Sequence, residues 1–301
     1  MSRDDDSPIR RIGLLGFGEV GQIFAAELRR RGCEVHACDP LAAGAGMQEA
    51  AHAAGIALFE HAAALPHDLD LVVSAVTAGS ALEAAGDAVA LLEKGVLYLD
   101  INSVSPATKQ EIASRVESAG GRFIEAAVMS AVPPYGIAAP MLLGGPHASA
   151  AAPRIEALGF RVTPVSERIG VPSATKMCRS VVVKGLEAIV VDGFTAARRY
   201  GVEREVIAYL AEAFPGLDWE AEARNFYERM MRHGRRRGEE MQESAATLRA
   251  AGIDPALPAA TAARQFAIAR TAVGTTSDER AVAWQTYADR LLGRTPDSDA
   301  G

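Results

Sequence analysis

Between Arg10 and about Ser166, short apolar runs rich in β-branched residues, such as LVVSAV and VLYLDI, alternate with alanine-rich stretches of helical period. That alternation predicts βαβ units and a parallel sheet. Strands are expected at 11–16, 34–39, 70–76, 96–101, 122–128, 140–143 and 161–165. Their apolar runs are nearly continuous, so helices should cover both faces of the sheet, as in a doubly wound α/β fold. After Gly170 the β-like runs stop. Ser173 stands where an N-cap belongs, ahead of a helix that runs through ATKMCRSVVVKGLEAIVVDGFTAARRY to Gly201, about 40 Å at 1.5 Å per residue. Further helices are expected at 203–213, 218–251, 258–273 and 277–292, separated by Pro215, Gly252, Pro255 and Gly274. The pattern therefore divides the chain into a doubly wound domain, 1–168, and an all-α domain, 169–301.

Bulk properties narrow the partners. Of 301 residues, 49% are hydrophobic and 23% charged, an ordinary globular balance. A formal net charge of -7 disfavours broad attraction to nucleic acid or anionic membrane and leaves small molecules as the expected ligands. The three cysteines, Cys33, Cys38 and Cys178, have no CxxC spacing and no matching histidine cluster, so neither a disulfide nor a metal is expected. The N-terminal residues carry no secretory pattern, and Lys184 and Glu187 interrupt the most apolar later run. A cytoplasmic protein is expected.

Gly16, Gly18 and Gly21 form GxGxxG directly after an apolar strand and at the opening of a helix. In that context the first glycine allows a tight turn, the second lets a pyrophosphate approach the backbone, and the third lets helix and strand pack closely. With Phe17, Glu19 and Val20 they make a dinucleotide loop of the Rossmann kind. Asp39 ends the second strand 23 positions after Gly16, near the roughly 20-residue spacing of a carboxylate that binds ribose hydroxyls. It would repel a 2′-phosphate, and the residues that follow, LAAGAG, offer no arginine, so NAD is favoured with NADP possible. A plain turn cap before Pro40 is the alternative role for Asp39.

Val76, Thr77, Asn102 and Ser103 stand at the C-terminal ends of later strands, where open α/β sheets bind ligands. Thr77, Ser80 and Ser105 fit equally well as helix caps. Lys176 falls in the first turn of the long helix, where a cation opposes the macrodipole. A lysine there suits general acid/base work on an alcohol, although a solvated surface lysine is the more common case.

Four segments turn these observations into a resemblance. GLLGFGEVGQIFAAELRRRG, LDINSVSP, EAAVMSAVPP and GVPSATKMCRS resemble, in order and spacing, the cofactor loop, strand-end motif, substrate motif and catalytic-lysine helix of the β-hydroxyacid dehydrogenases. That family includes 3-hydroxyisobutyrate and 6-phosphogluconate dehydrogenases. The resemblance implies that Lys176 is the catalytic acid/base, that Asn102 and Ser103 touch nicotinamide and substrate, and that the backbone around Ser130 receives a substrate carboxylate. It also implies a homodimer built through the helical domain, which is most similar to a 6-phosphogluconate-dehydrogenase-like subgroup. Two departures stand out. Met129 occupies the place of the motif serine, with Ser130 and Ala131 in place of glycines, and Ser180 stands where an asparagine follows the lysine.

Two further stretches bear on the substrate. Arg179, three residues beyond Lys176, suits a bidentate clamp on a carboxylate or phosphate, or a solvated helix position. His233, Arg235, Arg236 and Arg237 could bind an anionic group, or be balanced by Glu239 and Glu240. Trp219, Phe226 and Tyr227 read as helix-packing residues. The function implied is oxidation of the hydroxyl of a β-hydroxyacid or related polyol acid, with an imine or ketone reductase, or a dinucleotide sensor without catalysis, as the alternatives.

Overall fold

In the computed structural model, which describes residues 7–92, 95–271 and 282–294, the chain divides into two units, Met1–Met177 and Cys178–Gly301. The first unit holds β1 (Arg11–Leu15), β2 (Glu34–Cys38), β3 (Ala57–Phe59), β4 (Leu71–Ser74), β5 (Leu97–Asp100), β6 (Arg122–Val128), β7 (Pro140–Gly144) and β8 (Arg161–Ser166). They form one sheet in the order β3-β2-β1-β4-β5-β6-β7-β8. Side chains of alternate residues leave a strand on opposite faces, and both faces are buried here. Ile12, Leu14, Leu71, Val73, Leu97 and Leu99 pack into one apolar cluster, while Leu15, Val72 and Tyr98 pack into a second. The helices of this unit are α1 (Glu19–Arg30), α2 (Ala45–Ala54), α3 (Ala81–Asp87), α4 (Pro106–Ser118) and α5 (Ala148–Ala157).

Two features depart from the sequence pattern. The edge strand β3 has only three residues, none of them buried, so it carries no apolar run to announce it. β7 runs antiparallel to β6, unlike every other pair in the sheet. The intervening residues 129–139 contain a single 3₁₀ turn, Gly136–Ala138, and a parallel return needs a longer crossover.

The long helix α6 spans Val171–Tyr200, so Ser173 lies inside its first turn instead of at its N-cap. The Ser173 hydroxyl donates backwards to the Gly170 carbonyl (3.1 Å). Lys176 is accordingly the sixth helical residue, three residues deeper than the sequence pattern implied, and the macrodipole opposes its charge less.

The second unit contains the rest of α6 with α7 (Glu203–Ala213), α8 (Trp219–Ala250), α9 (Ala256–Thr271) and α10 (Trp284–Leu291). The expected start of the last helix, at 277, lies outside the described residues. Val191, Phe194, Trp219, Phe226, Tyr227, Met230 and Trp284 form its core. Tyr227 stacks between Trp284 and Tyr287, with ring centroids 5.9 and 6.2 Å away. α8 and α9 approach closely because Gly234 and Gly238 have no side chains; a Cβ on them would meet Gln265 O at 2.6 Å and Phe266 Cε1 at 2.5 Å. Among the described residues, no helix is long and apolar enough to cross a membrane.

Candidate active site

β1 delivers the chain into the glycine loop at the C-terminal edge of the sheet. Gly16 has φ +93°, a left-handed conformation, and a Cβ there would sit 2.5 Å from the Ala75 carbonyl oxygen. A Cβ on Gly21 would collide with the Gly16 carbonyl, so the third glycine seats α1 on the turn. Gly18 differs: a Cβ there would meet nothing within 4 Å. Gly18 is also the N-cap of α1 and makes no side-chain cap, which leaves the amide-rich end of the helix open to an anion. Open space over the second glycine and an uncapped helix start fit a dinucleotide pyrophosphate.

The other loop residues contribute unequally. The Phe17 side chain is fully buried in the core, so this residue faces the loop with its backbone alone. Its amide is committed to Asp39, donating to Oδ2 at 2.9 Å, while Asp39 Oδ1 accepts from the Leu41 amide at 2.9 Å. Asp39 thus closes a turn past Pro40, the alternative role considered for it, and stands beside the glycine loop. Glu19 is exposed in the first turn of α1, and Val20 packs partly against the core.

The ends of β4 and β5 are cross-linked by one carboxamide. Buried Asn102 accepts from the Val76 amide (2.8 Å) through Oδ1 and donates to Ser74 Oγ (2.8 Å) through Nδ2. Its own amide donates to Asp100 Oδ1 (2.8 Å). Asp100 in turn is met by the fully buried Lys109, whose Nζ lies 2.8 Å from its carbonyl and 3.2 Å from Oδ1. Sequence reasoning had no signal for Lys109, since it lies nine residues from Asp100 on α4, in a different element. Of the three hydroxyls read as caps, Ser105 accepts from the Thr108 amide (3.3 Å), whereas Thr77 and Ser80 cap nothing and bond each other (3.1 Å).

Beyond that cross-link the chain presents Ser103, and α6 brings Lys176 to it: Lys176 Nζ donates to Ser103 Oγ at 2.5 Å, both side chains being half-buried. The start of α6 is held by buried Glu125 of β6, whose carboxylate accepts from the amides of Gly170 (2.5 Å) and Ser173 (2.7 Å). Glu125 was also missed, because a single acidic residue in an apolar strand gives no hint of a helix start 45 residues away. After β6, the Met129 amide donates to the Pro140 carbonyl (2.8 Å) and Ser130 Oγ to the Ala131 carbonyl (3.2 Å), with both residues half-buried.

In the second unit, Arg179 and His233 are exposed. Ser180 Oγ accepts from Lys184 Nζ (3.1 Å), which also pairs with Glu240 (2.8 Å). Burial holds the Lys184 ammonium below the usual lysine range, and Glu240 works against that shift. Among the basic residues of α8, Arg235 faces Glu239 (3.7 Å) and Arg236 faces Glu240 (3.9 Å). Arg237 turns inward onto the fully buried Glu187, which also meets Arg229 (3.3 Å). Each of these three arginines therefore has a carboxylate partner.

Comparison with known proteins agrees with this geometry. Residues 11–163, more than half of the chain, match the family described as the NAD binding domain of 6-phosphogluconate dehydrogenase, and residues 197–268 match a domain of unknown function, DUF1932. A conserved protein from Sinorhizobium meliloti 1021 is 30% identical, covers 96% of this chain and 98% of its own, and superposes with a TM-score of 0.73. A second solved protein, described as structurally similar to 3-hydroxyacid dehydrogenases, is 32% identical over 86% of this chain and 98% of its own, with a TM-score of 0.66. The 3-hydroxyisobutyrate dehydrogenase of Mycobacterium tuberculosis, solved with L-serine, shares the fold at 19% identity and a TM-score of 0.71, covering 94% of this chain and 99% of its own. A glycine loop shaped for a dinucleotide, on a sheet whose strand ends carry polar side chains, is what such a fold requires: the chain belongs to the family with the NAD-binding domain of 6-phosphogluconate dehydrogenase, on a 3-hydroxyacid dehydrogenase fold, and binds NAD or NADP.

Proposed function

We propose that this protein is an NAD-preferring dehydrogenase that oxidises the hydroxyl of a β-hydroxyacid or related polyol acid, with Lys176 as general acid/base. The observation that carries the reading is the 2.5 Å hydrogen bond from Lys176 Nζ to Ser103 Oγ at the end of β5. An amine and a hydroxyl this close form a pair on which a substrate hydroxyl can be held by both side chains, the geometry that proton transfer requires. When bound, the nicotinamide supplies the hydride acceptor. In the oxidative direction neutral Lys176 takes the proton from the substrate hydroxyl as the carbon gives up hydride; in reverse its ammonium returns that proton. Asn102 fixes the ends of β4 and β5 on which this pair stands. The half-buried residues Met129 and Ser130, the first in place of the motif serine and the second in place of a glycine, form the proposed carboxylate subsite. The carboxylate of Asp39, beside the phosphate loop, supports NAD over NADP by repelling a 2′-phosphate.

The assembly is proposed as a homodimer formed through the helical domain. Val182, Leu186 and Ile189 follow one another at helical spacing on α6 and are 70%, 39% and 62% exposed. A stripe of that kind is the sort of surface that subunits cover.

The test is turnover of 3-hydroxyisobutyrate, 6-phosphogluconate and related hydroxyacids with NAD and NADP, by wild type and Lys176→Ala. The variant is expected to lose about 10²- to 10⁴-fold in kcat while its NAD dissociation constant changes by less than about threefold. Wild-type turnover in Lys176→Ala overturns the assignment. Tight NAD binding without turnover of any hydroxyacid, imine or ketone would make the protein a sensor.

A further inference from the structure

Glu125 is an unusual residue to find in the middle of a covered sheet. It lies on β6 with no exposed surface, between Ile124 and Ala126 of the apolar core. A buried carboxylate is costly unless hydrogen bonds replace its water, and here they come from the start of α6. Oε2 accepts from the Gly170 amide at 2.5 Å and Oε1 from the Ser173 amide at 2.7 Å. The neighbouring strand makes room for this. Gly144 of β7 is paired directly with Glu125, and a Cβ on it would sit 2.7 Å from Pro172 Cδ and 3.3 Å from Glu125 Oε2. A side chain at Gly144 would therefore push the first turn of α6 off the carboxylate.

The consequence falls on Lys176. It follows Ser173 by three residues, less than one helical turn, so the two amides that Glu125 grips fix both the axial position and the rotation of the helix at the lysine. Ser103, the partner of Lys176, is carried by a different strand end, after β5. The 2.5 Å contact therefore depends on how α6 is docked onto β6. We infer that Glu125 is the positioning residue for Lys176, holding the ammonium-bearing turn of α6 in register with Ser103. The inference rests on the proposed catalytic use of Lys176.

Glu125→Gln keeps the size of the side chain but removes the charge and one acceptor. Three readouts follow. On whichever hydroxyacid the wild type oxidises, kcat should fall about ten- to a hundredfold, the scale of a misplaced catalytic group, with NAD affinity unchanged. In a Lys176→Ala background the same substitution should cost nothing further, because the group it positions is gone.

The third readout needs no substrate. Labelling of Lys176 by trinitrobenzenesulfonate at fixed pH, followed by peptide mass spectrometry, should be roughly three- to tenfold faster, the scale of one lost hydrogen bond, because an amine no longer docked on Ser103 Oγ is open to the reagent. Labelling of Lys109, buried on Asp100, should not change. Should Glu125→Gln not fold, Glu125→Asp keeps the charge but is too short to hold both amides. It is expected to label faster at Lys176, as Glu125→Gln does. Wild-type labelling of Lys176 in both variants, or parallel increases at Lys176 and Lys109, overturns the inference. Failure of the dehydrogenase reading shows instead as undiminished turnover in Lys176→Ala and leaves the labelling result standing.

Discussion

The Phe17 amide donates to Asp39 Oδ2 at 2.9 Å, and so ties the glycine loop to the residue after β2 whose carboxylate is the proposed selector between NAD and NADP. One side chain therefore both shapes the loop and sets its charge. The two roles separate by substitution. Asp39→Asn keeps a carbonyl oxygen for one amide and removes the charge, so isothermal titration should show the preference for NAD over NADP narrowing or reversing. Asp39→Ala leaves the Phe17 and Leu41 amides without this acceptor, and should weaken both cofactors and destabilise the fold by about 1 to 3 kcal/mol. Equal loss of NAD and NADP affinity in Asp39→Asn would show that the charge does not select.

The glycines of the loop should respond in opposite ways to the same added methyl. Gly16→Ala places a Cβ 2.5 Å from a carbonyl oxygen at a φ of +93°, and is expected to lower stability by about 2 kcal/mol or more. Gly18→Ala meets open space, so its melting temperature should stay near wild type while dinucleotide affinity drops at least about tenfold. Thermal melts with and without NAD check both. Normal NAD affinity in Gly18→Ala would place the pyrophosphate elsewhere.

Leu186→Glu combined with Ile189→Glu puts two charges on the exposed stripe of α6 and removes nothing from the core, since both side chains are exposed. The expected outcome in sedimentation velocity is a monomer with wild-type circular dichroism. A dimer of unchanged stability would move the subunit interface away from this face.

The cysteines should differ sharply in reactivity. Burial, reinforced by the neighbouring Asp39 carboxylate, pushes the Cys38 thiol up to about 12, and burial also raises Cys33. Cys178 is exposed. Iodoacetamide at pH 8 should alkylate Cys178 alone in the native protein, because the thiolate is the nucleophile. The raised Cys38 value also has a sign in stability. The folded state favours the protonated thiol, so this contribution is complete below the ordinary thiol value near 9 and is lost as pH rises towards 12. Early labelling of Cys38 would mean that the end of β2 opens readily.

Much of this protein was legible in its sequence, and the reason is that the legible parts are local. Apolar runs marked seven of the eight strands, and they are continuous in central strands such as β4 and β5, because a strand covered on both faces needs apolar residues on both. GxGxxG marked the cofactor loop, because the left-handed turn at Gly16 and the contact of Gly21 with the Gly16 carbonyl arise within the loop itself. Other features were decided only when distant segments met. The three-residue strand β3 is held by pairing to β2 and has no run of its own, and the reversal of β7 follows from a connection too short to cross over. The inward turn of Arg237 onto Glu187 joins residues 50 apart, and nothing in the run RRR tells which arginine will be buried. Above all, Lys176 could be named from the sequence, but its contact with Ser103, 73 residues away, could not, nor could the carboxylate of Glu125 that fixes its helix. Periodicity reports which face of an element is buried; only the packed chain determines which polar groups are left opposite one another there.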